Sequence, residues 1–167
     1  MNIAINGFGR IGRQALKAAW GRKGITIVAV NDLSTPENLA YLLKYDSVYG
    51  RWNHKVSVEG TTLKIDGKKI AVLAEKEPQK LPWGKMNVDV VIESTGRFAN
   101  EEGLKMHIKA GAKRAVLSAP AKGGGVPTLV MGVNEEMYDG EKYVNNASCT
   151  TNCVAPVAQV IHSAFGV

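Results

Sequence analysis

Apolar residues fall in short unbroken runs along this chain, and between the runs they recur at three- and four-residue spacing. Ile3-Ala4-Ile5, Ile25 to Val30, Val88 to Ile92 and Ala115-Val116-Leu117 are runs of the kind a parallel strand needs when both its faces are covered. Arg13, Leu16, Ala19 and Trp20 follow helical spacing, as do Leu39, Leu42 and Leu43, and as does the stretch from Glu101 to Ala110. Ser34-Thr35-Pro36-Glu37 starts the second of these helices, with proline in its first turn, and Gly111 stops the third. Strand and helix alternate with short connections, which predicts an α/β fold built on a doubly wound, mostly parallel sheet.

Between residues 54 and 74 the period changes. Lys55 to Val58, Thr62 to Ile65 and Ile70 to Leu73 read as short strands, and Asp66-Gly67 is a hairpin signal. A small antiparallel insertion is therefore expected at about 54–74. Asp46 to Asn53 reads as a loop, Glu75 to Gly84 as irregular, and Thr128 to Met131 as one more strand.

The tail differs from the rest. Residues 143–167 contain no Asp, Glu, Lys or Arg. A strand, Lys142-Tyr143-Val144, leads into a helical pattern through Val154, Val157, Ala158, Ile161 and Phe165. A helix with no charged face is buried on most sides, yet this one has too many Asn, Ser and Thr residues to span a membrane. Pro156 falls inside it and is expected to bend it near Asn152. The apolar surface around Val157, Ile161 and Phe165 is expected to drive self-association or to leave a sticky patch.

Two stretches carry chemistry. Gly7-Phe8-Gly9-Arg10-Ile11-Gly12 is G-x-G-x-x-G, placed between a strand and a helix, and Asp32 follows Gly12 by 20 residues at the end of the next strand. That is the Rossmann-type dinucleotide fingerprint. Gly7 permits the tight turn, Gly9 the close approach of the pyrophosphate, and Gly12 close packing of helix on strand. The helix start offers N–H groups to the phosphates. Asp32 accepts from a ribose 2′-hydroxyl and repels a 2′-phosphate, which favours NAD over NADP. A glycine-rich turn beside a solvated Asp is the competing reading. Glu93-Ser94-Thr95-Gly96 is a polar turn at a strand's carboxyl end, the edge where such sheets bind ligands.

The second stretch is Ser148-Cys149. Ser148 stands where an N-cap belongs, so Cys149 is the first helical residue and faces unpaired N–H groups and the positive end of the helix dipole. Both favour the thiolate, the nucleophilic form. A reactive Cys149 and a small buried hydrophobe are even alternatives from position alone. Cys153, one turn on, reads as core. Cys149, Cys153 and His162 fit no zinc pattern, so no metal is expected.

Net charge is +6, which taken alone suggests an anionic partner. The basic residues are dispersed, however, and no nucleic-acid signature appears, so nucleic acid is not an expected partner. There is no apolar leader, no run of membrane length and no disulfide framework. A cytoplasmic location without membrane association is the default expectation.

Asn6 to Gly12, Asn31-Asp32, Leu43 to Ser47, Glu93 to Gly96, Ser118-Ala119-Pro120 and Ala147 to Cys153 together resemble the phosphorylating glyceraldehyde-3-phosphate dehydrogenase family. The resemblance implies that Cys149 adds to the aldehyde of glyceraldehyde 3-phosphate. Hydride then passes to NAD, leaving a thioester that inorganic phosphate cleaves to give 1,3-bisphosphoglycerate. It makes Ser148 and Thr150 substrate-phosphate residues, Arg10 and Ile11 backbone contacts to the pyrophosphate, and Thr95, Gly96 and Ser118 lining of the cofactor groove. Lys76 stands where the family carries an arginine near the adenine, keeping the charge but losing the planar stacking surface.

The family's proteins are about twice this long, and their general-base histidine lies beyond Val167. No histidine here replaces it. His162 is 13 residues along the same helix, about 20 Å from Cys149, and His54 and His107 read as surface residues. The expectation is a cofactor-binding domain over 1–148 and an inter-domain helix over 149–167, the first element of an absent catalytic domain. The half-chain is then inactive alone, and the complete enzyme a homo-tetramer. A stand-alone NAD-binding module and an erythrose-4-phosphate dehydrogenase remain as alternatives.

Overall fold

A computed structural model of the chain describes residues 1–166. Strand β1 (Asn2–Asn6), helix α1 (Arg10–Ala19), β2 (Thr26–Asn31) and α2 (Pro36–Lys44) come first. A short ladder of β3 (Tyr45–Asp46) and β4 (Gly50–Arg51) follows, then β5 (Val56–Glu59), β6 (Thr62–Ile65) and β7 (Lys68–Leu73). The rest is β8 (Val90–Glu93), α3 (Glu101–Lys109), β9 (Arg114–Leu117), β10 (Tyr143–Asn145) and α4 (Cys149–Phe165). Eight strands form one sheet in the order β10-β9-β8-β1-β2-β7-β6-β5. From β10 to β7 every neighbouring pair is parallel, while β6 is antiparallel to both β7 and β5.

The apolar runs explain this sheet. Along β1, Ile3 and Ile5 point into a core with Leu16 of α1 and Leu39 and Leu43 of α2, and Ala4 points into a second core with Ala29, Val91 and Trp83. Both faces are thus covered, and each strand residue has apolar neighbours to bury against. A third cluster joins Leu104 of α3 to Ala115 and Leu117 of β9. Among the described residues, no helix is long and apolar enough to cross a membrane.

The period change at residues 54–74 produces three strands that extend the main sheet. The Asp66-Gly67 turn has both residues at positive φ, 49° and 82°, as a type I′ hairpin requires. β7 then pairs parallel with β2, so it ends the hairpin excursion and joins the doubly wound part at once.

Four local expectations fail, each for a visible reason. Residues 46–53 carry a two-residue ladder within the expected loop, because Asp46 Oδ1 accepts from the amides of Val48 (2.9 Å) and Tyr49 (3.0 Å) and folds the turn. The strand expected over Thr128–Met131 is only a single bridge, Thr128 to Asn145. Pro127 lacks a donor, and the Asn134 side chain takes the Val130 amide (2.7 Å) and Thr128 carbonyl (3.0 Å) that a ladder would use. His107 lies in the core, fully buried on the same face of α3 as Gly103 and Leu104. Cys153 is exposed, because no residue of α4 is buried. Pro156 lies inside α4, and the helix runs on to Phe165; Val167, the last residue of the expected inter-domain segment, lies outside the described residues.

α1 is seated by the absence of a side chain. A Cβ on Gly12 would overlap the Gly7 carbonyl oxygen and come within 3.0 Å of Ile5 Cγ2. Gly12→Ala is therefore expected to destabilise the chain by about 1–3 kcal/mol, through overpacking. Chemical denaturation at neutral pH checks this, and an unchanged midpoint would show that α1 does not need this close approach.

Candidate functional site

All five strands from β2 to β10 run parallel, so their carboxyl ends lie at one edge of the sheet. In spatial order that edge carries Asp32 after β2, Gly7 after β1, Thr95 after β8, Ser118 after β9 and Cys149 after β10. The strand ends are stitched to one another: Ser94 N–H donates to the Asn6 carbonyl (2.7 Å), Ser118 N–H to the Glu93 carbonyl (3.0 Å) and Asn146 N–H to the Leu117 carbonyl (2.9 Å). With strands about 4.8 Å apart, roughly 14 Å separates the strand of Gly7 from that of Cys149.

A cleft of about 340 Å³ opens at the β2–β1–β8 part of this edge. Five of the sequence-predicted residues line it, Gly7, Gly9, Asp32, Lys76 and Thr95, and Leu33 and Phe98 add apolar wall. Gly7 holds φ +90°, and a Cβ there would come within 2.6 Å of the Thr95 amide nitrogen. Gly9 differs: no atom lies within 4 Å of where its Cβ would be. No protein packing demands glycine at that position, and the space a side chain would fill belongs to the cleft. The α-helices α2, α3 and α4 are capped by Thr35, Asn100 and Ser148, whereas no side chain caps α1. The leading N–H groups of α1 are thus left for a ligand or solvent.

Asp32 is held by its own neighbours. One carboxylate oxygen accepts from the Phe8 amide (2.8 Å) and the other from the Ser34 amide (3.0 Å). Each oxygen keeps acceptor capacity, so the group is fixed in place and still able to take a hydroxyl. Such an arrangement of open glycine cradle, uncapped helix start and anchored carboxylate fits a dinucleotide.

The other predicted residues lie outside this cleft. Gly96 stands in the turn after β8, and Ser118 after β9. Arg10 and Ile11 are exposed in the first turn of α1 and line a neighbouring hollow of about 380 Å³ with Tyr45 to Tyr49. Ser148 caps α4, its hydroxyl accepting from the Thr151 amide at 2.9 Å, and Cys149 and Thr150 are exposed in the first turn. Ala147, buried and at φ 56°, turns the chain from β10 into that helix.

The first 101 residues match the family model for the NAD binding domain of glyceraldehyde 3-phosphate dehydrogenase. The chain belongs to the glyceraldehyde-3-phosphate dehydrogenase family. It is 52% identical over 169 residues to the glyceraldehyde-3-phosphate dehydrogenase of Geobacillus stearothermophilus and 51% identical over 168 residues to that of Mycoplasma pneumoniae. It is 50% identical over 167 residues to the cytosolic glyceraldehyde-3-phosphate dehydrogenase of Trypanosoma brucei brucei. Each comparison covers 100% of this chain and 50% of the relative, so the chain spans about half the length of the curated relatives it matches. As in the dehydrogenase family to which it belongs, its doubly wound half is an NAD-binding domain.

Behind the cleft lies a polar cluster that the periodicity alone did not single out. Glu93 is fully buried. Its Oε1 accepts from the amide (2.8 Å) and hydroxyl (2.5 Å) of Thr95, and its Oε2 from Asn6 Nδ2 (2.6 Å) and His107 Nε2 (2.9 Å). Trp83 Nε1 can only donate, and it donates to His107 Nδ1 at 3.0 Å, so the imidazole hydrogen sits on Nε2. The signal was present in the strand itself: Glu93 shares a face with Val91, two residues earlier, and that face is buried.

Burial pushes the Glu93 carboxyl toward its neutral form, but the hydrogen bonds from His107, Thr95 and Asn6 outweigh it and hold the pKa below the ordinary glutamate value of 4.5. A lowered folded-state pKa stabilises the fold above the unfolded value, and that stabilisation is lost as pH falls through the folded one. Glu93→Gln places an NH₂ among four donors and is expected to cost about 1–3 kcal/mol at pH 7. The gap between wild type and variant should shrink below pH 4.5. Urea denaturation of both at pH 7 and in mild acid measures it, and a constant gap would show that the carboxylate charge is not what is held.

Proposed function

We propose that this chain is the cofactor-binding half of a phosphorylating glyceraldehyde-3-phosphate dehydrogenase, which oxidises glyceraldehyde 3-phosphate to 1,3-bisphosphoglycerate through a thioester on Cys149. The observation that carries this reading is the position of Cys149 as the first residue of a Ser148-capped helix, on the same sheet edge as the dinucleotide cradle. The relatives' names support the substrate.

In this reading the first-turn amides of α1, at Arg10, Ile11 and Gly12, hold the pyrophosphate, and Gly9 gives it room. Asp32 takes the adenosine ribose hydroxyl, while Lys76 borders the adenine. Thr95 and Gly96 form the near wall of the groove, and Ser118 extends it toward Cys149. The Cys149 sulfur bonds to the aldehyde carbon and afterwards holds the acyl group until a phosphate oxygen displaces it. Ser148 and Thr150 flank that sulfur and bind phosphate. NAD, when bound, supplies the acceptor for the hydride that the substrate loses.

The histidines favour binding without turnover for the described residues alone. His107 has both ring nitrogens engaged in the core. His54 contacts Asp66 at 2.6 Å beside β5, at the far end of the sheet from β10. His162 lies about 20 Å along α4 from Cys149. The complete enzyme is then a homo-tetramer, and a cytoplasmic location agrees with the relative named as cytosolic.

Two measurements test this. Supplied with glyceraldehyde 3-phosphate, NAD and phosphate, the 167-residue chain should make NADH far more slowly than about 1 per second, the low end for typical enzymes. Turnover at ordinary dehydrogenase rates would replace the half-enzyme reading with that of a self-sufficient one. Asp32→Ala should weaken NAD binding about tenfold and erase the preference over NADP. Unchanged selectivity, read by calorimetry with both nucleotides, would remove Asp32 from the ribose site.

A further inference from the structure

Segments at the ends of β1, β2, β7 and β8 form the cleft, and hydrogen bonds, direct or relayed, tie each of them to one buried carboxylate. Thr95, in the loop after β8, gives both its amide and its hydroxyl to Glu93 Oε1. Asn6, at the end of β1 where the glycine turn begins, gives its side-chain amide to Glu93 Oε2. Asn6 Oδ1 in turn accepts from Asn31 Nδ2 at 2.7 Å, at the end of β2. Asn31 donates again to the Glu75 carbonyl (2.9 Å), and its Oδ1 accepts from the Glu75 amide (2.8 Å). Asn6, Asn31, Glu75 and Thr95 all line the cleft; Glu93 does not.

The orientation of each amide in this chain is fixed by what it meets. Glu93 only accepts, so Asn6 must turn its NH₂ toward it and its oxygen toward Asn31. Asn31 must then present its NH₂ to Asn6, which leaves its oxygen for the Glu75 amide. The polarity set at Glu93 is therefore transmitted across three strands to the segment carrying Lys76. On the other side, His107 and Trp83 close the cluster against the core; His107 Nε2 also lies 3.5 Å from Asn6 Nδ2, while Trp83 donates to His107.

We propose that Glu93 is a positioning residue for the dinucleotide, setting the spacing and polarity of the glycine turn, the 94–98 loop and the 75–76 segment before the ligand arrives. The proposal rests on the NAD-binding reading of the cleft. Preorganised walls spare the ligand the cost of ordering them, so loosening them lowers affinity without removing a single ligand contact.

The test compares Glu93→Gln with Leu63→Ala in the 167-residue chain. Leu63 is buried in β6, away from the cleft, and serves as a destabilised control. NAD affinity is measured by calorimetry at a temperature where circular dichroism shows each variant fully folded. Glu93→Gln should weaken NAD about tenfold, and Leu63→Ala should leave it as in wild type. Should Glu93→Gln not fold, Thr95→Val removes the hydroxyl that donates to Glu93 and accepts from the Arg97 amide (3.1 Å), and should weaken NAD about threefold. Wild-type affinity in the folded wall variant, or an equal loss in Leu63→Ala, overturns the proposal.

A second readout needs no ligand. By NMR, the Thr95 amide and the side-chain amides of Asn6 and Asn31 should lose exchange protection together in the Glu93 or Thr95 variant and keep it in Leu63→Ala. Loss at Thr95 alone overturns the coupling. A wild-type chain that does not bind NAD would sink the cofactor reading, while the exchange pattern would still judge whether Glu93 ties the walls together.

Discussion

The close seating of α1 on the turn after β1 is the constraint from which the site follows. Gly12 has no room for a Cβ against the Gly7 carbonyl and Ile5. That forces the helix start down onto the strand end and brings its uncapped N–H groups to the sheet edge. Gly7 adds to this: its φ of +90° favours glycine, and a Cβ there would lie only 2.6 Å from the Thr95 amide nitrogen. The glycines at 7 and 12 are thus required by protein packing, whereas the one at 9 meets no protein atom within 4 Å of a Cβ and borders the cleft instead.

Two carboxylates stand near the uncapped start of α1, and their surroundings give them different work. Asp32 is half-buried, each oxygen fixed by one backbone amide, and it has acceptor capacity left over. Glu93 is fully buried and spends its capacity on four donors from inside the protein. A buried charge without such donors would be very costly. With them, it is a rigid hub: no water can replace a donor that moves, so the loops that supply those donors are held.

Much of this was legible in the residue pattern. The parallel strands, the three N-terminal helices, the I′ turn at Asp66-Gly67 and the Ser148 cap all follow from local rules that act within a few residues, and the structure keeps them. What escaped was decided at longer range. Thr128–Met131 has strand composition, but the Asn134 side chain competes for its backbone groups. His107 is polar by type and apolar by position: it lies on the buried face of α3 with Leu104, and its partners Glu93 and Trp83 are 14 and 24 residues away. Of the site, the fingerprint residues could be named from spacing. The Asn6–Asn31–Glu75 relay could not, because its members come from three strand ends that only the folded sheet places side by side.

α4 shows the same division between local and distant causes. Its local instructions are complete: a serine cap at the start, and Gly166 at φ 70° closing the end through a bond to the His162 carbonyl. Its amphipathic logic is not satisfied within these residues. Val154, Val157, Val160 and Phe165 are each more than half exposed, on a helix that carries no charged side chain to keep it in water. In an isolated helix those side chains gain nothing from their apolarity. The doubly wound sheet therefore accounts for where α4 begins, and hence for where Cys149 stands, but the apolar character of its later turns is a demand placed on whatever surface meets it.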